Sequence, residues 1–322
     1  MKKLAIILIF CFLLTGCSRS ERSVSKETVA LDTVIKISLY NTDDTALIDA
    51  CFQKIREYEA LFSRTIENSD ISRLNNAAGE WVTVSEETAA LLTEAVCYGE
   101  LSNGAFDITI ASLMDCWDFK SDKSVPPSKD ELSKKLSLVN YKGISVKNKQ
   151  AKLSNPNASV DLGGIAKGYI ADQLVVFLKE NGISDALIDL GGNIYALGSK
   201  NNRPWRVGIR DPKNENELSA VVETTDCSVV TSGVYERGFT YNGTRYHHII
   251  DPQTGFPVQN GLLSVTIISP NSAECDALAT ACFVLGKEKG IDLIESLNGV
   301  EALFIEEDGT ITTTDHLSYI EK

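Results

Sequence analysis

The sequence predicts an α+β protein in which helices pack on mixed sheets in a two-lobed arrangement. Residues 34–40 alternate apolar and polar side chains, which is the period-two pattern of a half-buried strand. The next segment repeats apolar residues every three or four positions, as an amphipathic helix does. Both patterns recur without an internal repeat or a long low-complexity linker, and the polar stretch at 120–130 marks a weak lobe boundary.

Capping and turn residues place the helices and strands in order. Asp43 and Asp44 are candidates for the cap of a first helix, whose apolar face ends at Phe62. Ser85 is expected to cap a second helix that runs toward Gly104. The remaining elements are a helix at 166–181, a strand at 186–190 with a glycine turn at 191–193, a last helix from Glu274 to Gly286, and a terminal hairpin at Asp308-Gly309.

The N-terminus has the pattern of a bacterial lipoprotein leader. Lys2 and Lys3 precede an unbroken apolar run at 4–14, which is too short to span a bilayer. The following Thr-Gly-Cys resembles a lipobox, so residues 1–16 are expected to be removed and Cys17 to carry the lipid. An ordinary signal sequence with a chance cysteine is the alternative. Residues 17–26 are then a polar tether, and residues 27–322 form the folded domain.

The charge balance limits the kinds of partner. The 322 residues contain 31 Lys and Arg against 44 Asp and Glu, a net charge of −13, and loss of Lys2 and Lys3 with the leader leaves −15. A basic nucleic-acid-binding surface is therefore not expected. The same charge does not favour adsorption to anionic lipid, so the lipid anchor would have to hold the protein at the membrane.

The cysteines give no metal or redox motif. Eight cysteines are present and none forms a Cys-x-x-Cys pair, so zinc and dithiol motifs find no support. Without Cys11 and Cys17 six remain, an even number that permits disulfides in an oxidising exterior. Because several of the six lie in apolar helical patterns, free buried thiols are the favoured interpretation.

Two glycine-containing segments can deliver polar groups to a ligand. Residues 104–109 present a glycine turn followed by an aromatic residue, a carboxylate and a hydroxyl; a capped turn leading into a strand is the alternative. Residues 161–168 place a carboxylate and a glycine pair at the start of a predicted helix. Amide groups at a helix start favour anions and Lys167 adds a positive charge, so this segment suits a pyrophosphate, although such turns are also common without a ligand.

Two further segments carry groups that can move a proton or hold a cation. His247 and His248 are adjacent, so in a strand one must point away from the other, and the pair is preceded by the polar segment 231–237. One of them can act as a proton carrier near neutral pH; a surface histidine beside a turn is the alternative. Asp276 and Thr280 share a helical face and could meet one hard cation. Alternatively, Asp276 only benefits from the dipole at a helix start.

Together these segments resemble the FAD:protein FMN transferases, the ApbE family, over nearly the whole chain after the tether. Seven motifs in this order carry the resemblance: Phe62-Ser63 with residues 69–75, then residues 104–109, 161–168, 191–193, 231–233, 248–255 and 276–280. The resemblance implies a Mg²⁺-dependent transfer of FMN from FAD to a Thr or Ser hydroxyl of an acceptor protein, with AMP as the leaving group. The implied acceptor is an exported protein, such as a flavin-carrying subunit of a membrane redox complex.

The resemblance also implies roles for individual residues. The metal would lie between Asp276, Thr280 and the backbone carbonyl of Gly164. His248 is the candidate group that activates the acceptor hydroxyl, a role that Asp276 could share through the metal. The implied FAD contacts are Leu31, Thr65, Ala105, Phe106, Asp107, Asp161, Lys167 and Ile250. The implied location is the outer side of the bacterial cytoplasmic membrane, or a periplasm-facing membrane surface.

Two departures from the family pattern keep other functions open. Many members have Met-Gly-Thr where this chain has Leu31-Asp32-Thr33, and many have a tyrosine where this chain has Thr65. An aromatic ring would add about 0.5–1.5 kcal/mol of stacking, which Thr65 cannot supply. Hydrolysis of FAD to FMN and AMP therefore remains an alternative. A non-catalytic lipoprotein that binds FAD is a third possibility.

Overall fold

The computed structural model describes residues 22–119 and 125–322. Within these ranges the strands are β1 Ser23–Ala30, β2 Thr33–Tyr40, β3 Val82–Thr83, β4 Ile144–Lys147, β5 Gln150–Leu153, β6 Ala186–Asp189, β7 Asn193–Leu197, β8 Trp205–Arg210, β9 Leu218–Thr224, β10 Cys227–Gly233, β11 Gly238–Tyr241, β12 Thr244–His247, β13 Leu262–Ser269, β14 Glu301–Glu306, β15 Ile311–Thr313 and β16 Tyr319–Glu321. The α-helices are α1 Thr45–Phe62, α2 Asp70–Asn75, α3 Glu86–Leu101, α4 Ala111–Met114, α5 Lys129–Leu136, α6 Ala166–Glu180, α7 Ser272–Leu285 and α8 Lys287–Glu295, and a 3-10 turn covers Tyr141–Gly143.

An eight-stranded sheet in the order β1-β2-β6-β7-β10-β13-β14-β15 organises the molecule. The predicted α+β class is confirmed, but each pairing in this sheet is antiparallel, so the sheet is not mixed as expected. The sheet also crosses the expected lobe boundary, because β2 precedes it and pairs with β6, which follows it. Of the stretch 120–130, residues 120–124 lie outside the described residues.

The periodic and capping signals predicted several elements correctly. The side chain of Asp44 accepts hydrogen bonds from the first turn of α1, and Ser85 caps α3. Helix α6, strand β6 and the hairpin between β14 and β15 lie where the sequence placed them.

Other expectations need correction. Strand β1 begins at Ser23, so residues 23–26 belong to the sheet rather than to the predicted tether. Their polar character fits an edge strand, where alternate side chains face solvent and need not be apolar. Helix α7 is not the last helix either, because Gly286, with φ of 83°, joins it to α8. Within the described residues, no helix is long and apolar enough to cross a bilayer.

Helices α6 and α7 pack together unusually closely at Gly168. Helix α7 is buried along most of its length against α6, β10 and β13. A Cβ atom added at Gly168 would lie 2.2 Å from the Ser272 carbonyl oxygen and 2.7 Å from the Ala273 Cα. Both contacts are with backbone, which cannot move aside as a flexible side chain can. Glycine at this position therefore sets the distance between the two helices.

We predict that Gly168→Ala destabilises the protein. Alanine improves helix propensity by about 1 kcal/mol, but overpacking against backbone outweighs this gain, for a net loss of at least about 1 kcal/mol. The measurement is the urea midpoint followed by circular dichroism. Val176→Ala, at a half-exposed position of the same helix, is the control and should change stability by less than about 0.5 kcal/mol. A wild-type urea midpoint for Gly168→Ala would contradict this prediction, because it would show that α6 and α7 can move apart without loss of stability.

Candidate functional site

The start of α6 is tied to α7 by a buried carboxylate. The Gly168 amide donates a 3.0 Å hydrogen bond to Oδ2 of Asp276, whose residue is 4% exposed. Burial raises the pKa of Asp276, whereas the charge of Lys167 and the Gly168 hydrogen bond oppose that rise. Asp276 is therefore held at the glycine turn of residues 161–168, as the combined motifs implied.

Gly164 and Thr280 lie at the same place. A Cβ atom added at Gly164 would be 3.2 Å from the Phe106 ring and 3.5 Å from the Thr280 hydroxyl oxygen. Among the described residues, the Thr280 hydroxyl makes one long hydrogen bond, 3.4 Å, to the Asp276 carbonyl of its own helix. The structure thus brings together the three residues to which the resemblance assigns the metal.

These donors fit a Mg²⁺ ion that is completed by a substrate. Asp276 supplies a carboxylate and Thr280 a hydroxyl, both hard oxygen ligands, next to the backbone of Gly164. The described residues include no group of three or more His, Cys, Asp or Glu side chains arranged to hold a metal. Mg²⁺ is commonly held by one or two carboxylates together with substrate phosphates and water, rather than by a full protein cage.

The two adjacent histidines have separate roles. His247 is 3% exposed, and its Nε2 lies 2.8 Å from the Val258 carbonyl oxygen. A carbonyl only accepts, so Nε2 carries the proton and Nδ1 accepts from the Ile249 amide at 3.3 Å. Burial also lowers the pKa of His247. This side chain is a neutral packing group that fixes the segment preceding Val258.

His248 follows the end of β12 at His247, faces Glu236 instead of Val258, and keeps 26% of its side chain exposed. Burial, followed by the nearby positive charges of Arg237 and Lys167, lowers the pKa of His248 to about 4. Its Nδ1 is buried and has no hydrogen-bond partner among the described residues. His248 is therefore a neutral imidazole at pH 7, which can accept a proton.

Glu236 is a site residue that the sequence reasoning did not single out. Its Oε2 lies 4.0 Å from Nε2 of His248. Burial raises the pKa of Glu236, Lys167 lowers it, and Asp276 raises it further. The carboxylate thus lies within electrostatic reach of both Lys167 and Asp276. Its position in the sequence could have indicated this role, because Glu236 lies only three residues after the 231–233 motif.

In the glycine-containing segment 104–109, residues 105–107 are buried and support the site, and the Asp107 carboxylate is hydrogen-bonded within the protein. Ala105 and Phe106 are buried, and Phe106 packs against Gly164. The carboxylate of Asp107 accepts from the amide and hydroxyl of Thr109 and from the amide of Tyr141. Burial raises the pKa of Asp107 despite these bonds. We therefore expect any contact of Asp107 with FAD to involve its backbone, a role that stays a prediction.

Arg64, the residue before Thr65, forms an ion pair with Asp161. Asp161 accepts from the Gly163 amide at 2.8 Å, and its other oxygen lies 2.9 Å from Nε of Arg64. Thr65, the next residue, is exposed and its hydroxyl lies 3.1 Å from that of Ser63. The turn after α1 is thereby linked to the glycine turn.

Leu31 and Ile250 occupy two other segments. Leu31 and Asp32 form the β1–β2 turn with φ of 53° and 58°, a type I′ geometry, and the Leu31 amide donates to Glu59 at 2.8 Å. Asp32 lies 3.8 Å from Arg237, which brings this turn beside the Glu236 segment. Ile250 is buried in an apolar cluster two residues after His248. Cys17 lies outside the described residues.

Two surface cavities lie away from the residues of this site. One cavity of about 490 Å³ is lined by Thr109 and residues between 137 and 158, and another of about 590 Å³ is lined by Tyr235, Arg245 and their neighbours. Neither is lined by His248 or Asp276. The contacts among the motif residues identify the site instead.

Comparison with known proteins gives one consistent family. The ApbE family model matches residues 31–304. The FAD:protein FMN transferase of Treponema pallidum (strain Nichols) is 38% identical over 309 residues, covering 89% of this chain and 85% of that protein. The FAD:protein FMN transferase of Klebsiella pneumoniae (strain 342) is 34% identical over 294 residues, covering 90% and 91%.

Solved structures agree with this family in fold. The ApbE protein of Thermotoga maritima has a TM-score of 0.84 and 31% identity, covering 91% of this chain and 97% of that one. The flavin transferase ApbE from Vibrio cholerae has a TM-score of 0.83 and 28% identity, covering 92% and 97%.

Proposed function

This chain belongs to the ApbE family, and from that premise we propose that it transfers FMN from FAD to a hydroxyl side chain of an acceptor protein. The observation that carries the proposal is the Gly168–Asp276 hydrogen bond, which ties the glycine turn to the helix that carries Thr280. Asp276 and the neighbouring Lys167 also lie within electrostatic reach of Glu236, which contacts His248. The curated relatives described above are FAD:protein FMN transferases, which supports the same reaction. The family predicted from the seven motifs is confirmed.

The glycine turn suits the pyrophosphate of FAD. Helix α6 begins at Ala166, so its first amides lie at this turn, and amides at a helix start favour anions. Lys167 adds a positive charge at the same end of the helix. Gly163 and Gly164 lack side chains that would keep a phosphate away from the backbone. These groups would fix the position of the two phosphates while leaving the FMN phosphorus open to attack.

His248 is the group that we propose to take the proton of the acceptor hydroxyl. As that oxygen forms a bond to the FMN phosphorus, the bond from this phosphorus to the bridging oxygen breaks, and AMP leaves with the electron pair. The proton passes to the neutral imidazole of His248. The carboxylate of Glu236, 4.0 Å from Nε2, then stabilises the positive charge.

Asp276, Thr280 and the Gly164 backbone would hold the Mg²⁺ ion that we propose for this site. A Mg²⁺ ion supplies neutralisation of the pyrophosphate charge and of the charge that develops on the leaving oxygen. Asp276 suits this role because one of its oxygens is anchored by Gly168 while the other is not committed to that bond. The protein therefore positions the carboxylate before substrate arrives.

The location and the acceptor are further proposals. We propose that Cys17 carries a lipid and that the enzyme works outside the cytoplasmic membrane, because the apolar run and the Thr-Gly-Cys sequence have the lipobox pattern. An exported acceptor, such as a flavin-carrying subunit of a membrane redox complex, would be within reach of such an anchored enzyme.

The transfer reaction is tested by incubating the purified protein with FAD, Mg²⁺ and a candidate acceptor domain. Intact-mass spectrometry should show an acceptor gain of one FMN moiety, and chromatography should show one AMP released for each acceptor modified. AMP release without labelling, repeated with several acceptors, would favour hydrolysis. An absence of AMP with wild-type protein would contradict an enzymatic function.

In the same assay, we predict that His248→Ala slows transfer by about 100-fold or more, the contribution expected of a proton-transfer group. FAD affinity, measured by flavin fluorescence, should stay near the wild-type value because His248 acts on the acceptor hydroxyl. His316→Ala, at an exposed position near the C-terminus, is the control. Wild-type rates in His248→Ala would remove this residue from the chemistry.

We also predict that Cys17→Ser releases the protein from the membrane. The full-length chain, expressed in a bacterium, should move from the membrane pellet to the exported soluble fraction, because a serine at this position cannot receive a thioether-linked lipid. Cys11→Ser, within the apolar run, is the matched control and should stay in the pellet. Retention of Cys17→Ser in the pellet would disprove the anchor.

A further inference from the structure

Arg64 is held by two carboxylates from separate segments. Its Nε lies 2.9 Å from Oδ2 of Asp161, which stands two residues before Gly163, and its Nη1 lies 2.7 Å from Oδ1 of Asp115, which follows α4. The Arg64 side chain is still 28% exposed. Ion pairs with this much exposure add little to stability. Their main effect is to fix the orientation of the planar guanidinium.

The local charge argues against a phosphate ligand for Arg64. Two carboxylates surround one guanidinium, so the cluster of Arg64, Asp115 and Asp161 carries a net charge of −1. An anion would be repelled here and attracted instead to Lys167 and the start of α6. A guanidinium whose edges are engaged by carboxylates can still use its flat face, on which aromatic rings stack.

The position of Asp161 in the chain places the flat face of the Arg64 guanidinium near the proposed FAD position. Asp161 lies three residues before Gly164, and three residues span at most about 10 Å. The guanidinium is therefore close enough to the proposed pyrophosphate position to reach a ring at one end of the same FAD molecule. Thr65, beside Arg64, is exposed and supplies no ring of its own.

We propose that Arg64 is a FAD-binding residue whose guanidinium face stacks on one of the two ring systems of FAD, the flavin or the adenine. The proposal rests on the proposed function, because it takes FAD as the substrate. Asp161 and Asp115 are the positioning residues that hold the guanidinium plane. Arg64 thereby contributes to FAD affinity.

The test is the dissociation constant for FAD, measured by flavin fluorescence on the full-length protein. Arg64→Ala and Arg64→Lys should both raise it by about three- to tenfold, the loss expected for one stacked cation. Lysine keeps the charge and a partner for Asp161 but has no planar face. Arg206→Lys, in an exposed pair with Glu223 on β8, is the control and should bind FAD like wild type.

Binding of FMN and AMP, measured separately, identifies the ring. Selective loss of affinity for FMN places the flavin on Arg64, and selective loss for AMP places the adenine there; either supports the proposal. Wild-type FAD affinity in Arg64→Lys would show that charge alone suffices and would overturn stacking. An equal loss for both ligands would also overturn it, as a general distortion of the site. A wild-type protein that fails to bind FAD would overturn the proposed function as well.

Discussion

The site depends on one hydrogen bond between two helices, from the Gly168 amide to the Asp276 carboxylate. A carboxylate this buried is costly unless polar groups compensate it, and here the compensation comes from the start of the neighbouring helix and from the charge of Lys167. The bond forms only because Gly168 has no side chain between α6 and α7. The same contact places the glycine turn, Thr280 and Asp276 at one point.

Around this contact, the polar motif residues divide into supports and reactive groups. Asp107 and His247 are buried with their polar atoms engaged by neighbouring backbone or hydroxyl groups, so they fix turns. His248 and Glu236 keep part of their surface exposed and lie 4.0 Å apart without a short hydrogen bond. Neighbouring polar residues of the motifs thus differ in whether their side chains can reach a ligand. His248 and Glu236 can, and both lie within electrostatic reach of Lys167.

The sequence predicted features that depend on local chemistry. Asp44 and Ser85 cap helices because their side chains bond amides two or three residues ahead, and the four-residue spacing of Asp276 and Thr280 puts them on one face of α7. Strand β1 was missed because an edge strand needs little apolar patterning. The ion pairs of Arg64 were missed because Asp115 and Asp161 are distant in sequence and meet it only after folding. Glu236 was missed because Lys167 and Asp276, whose charges act on it, are also remote in the chain. Strand direction was also misjudged, since pairings such as β2 with β6 join remote segments.

We propose that Asp276, anchored by Gly168, completes a Mg²⁺ site together with the pyrophosphate of FAD. The most direct test measures the FAD dissociation constant with and without Mg²⁺ in wild type and in Asp276→Asn. Asparagine keeps an oxygen that can accept the Gly168 hydrogen bond but loses the charge that attracts the metal. We expect Mg²⁺ to tighten FAD binding in wild type and to have no effect in Asp276→Asn. Equal tightening in both proteins would contradict the proposal.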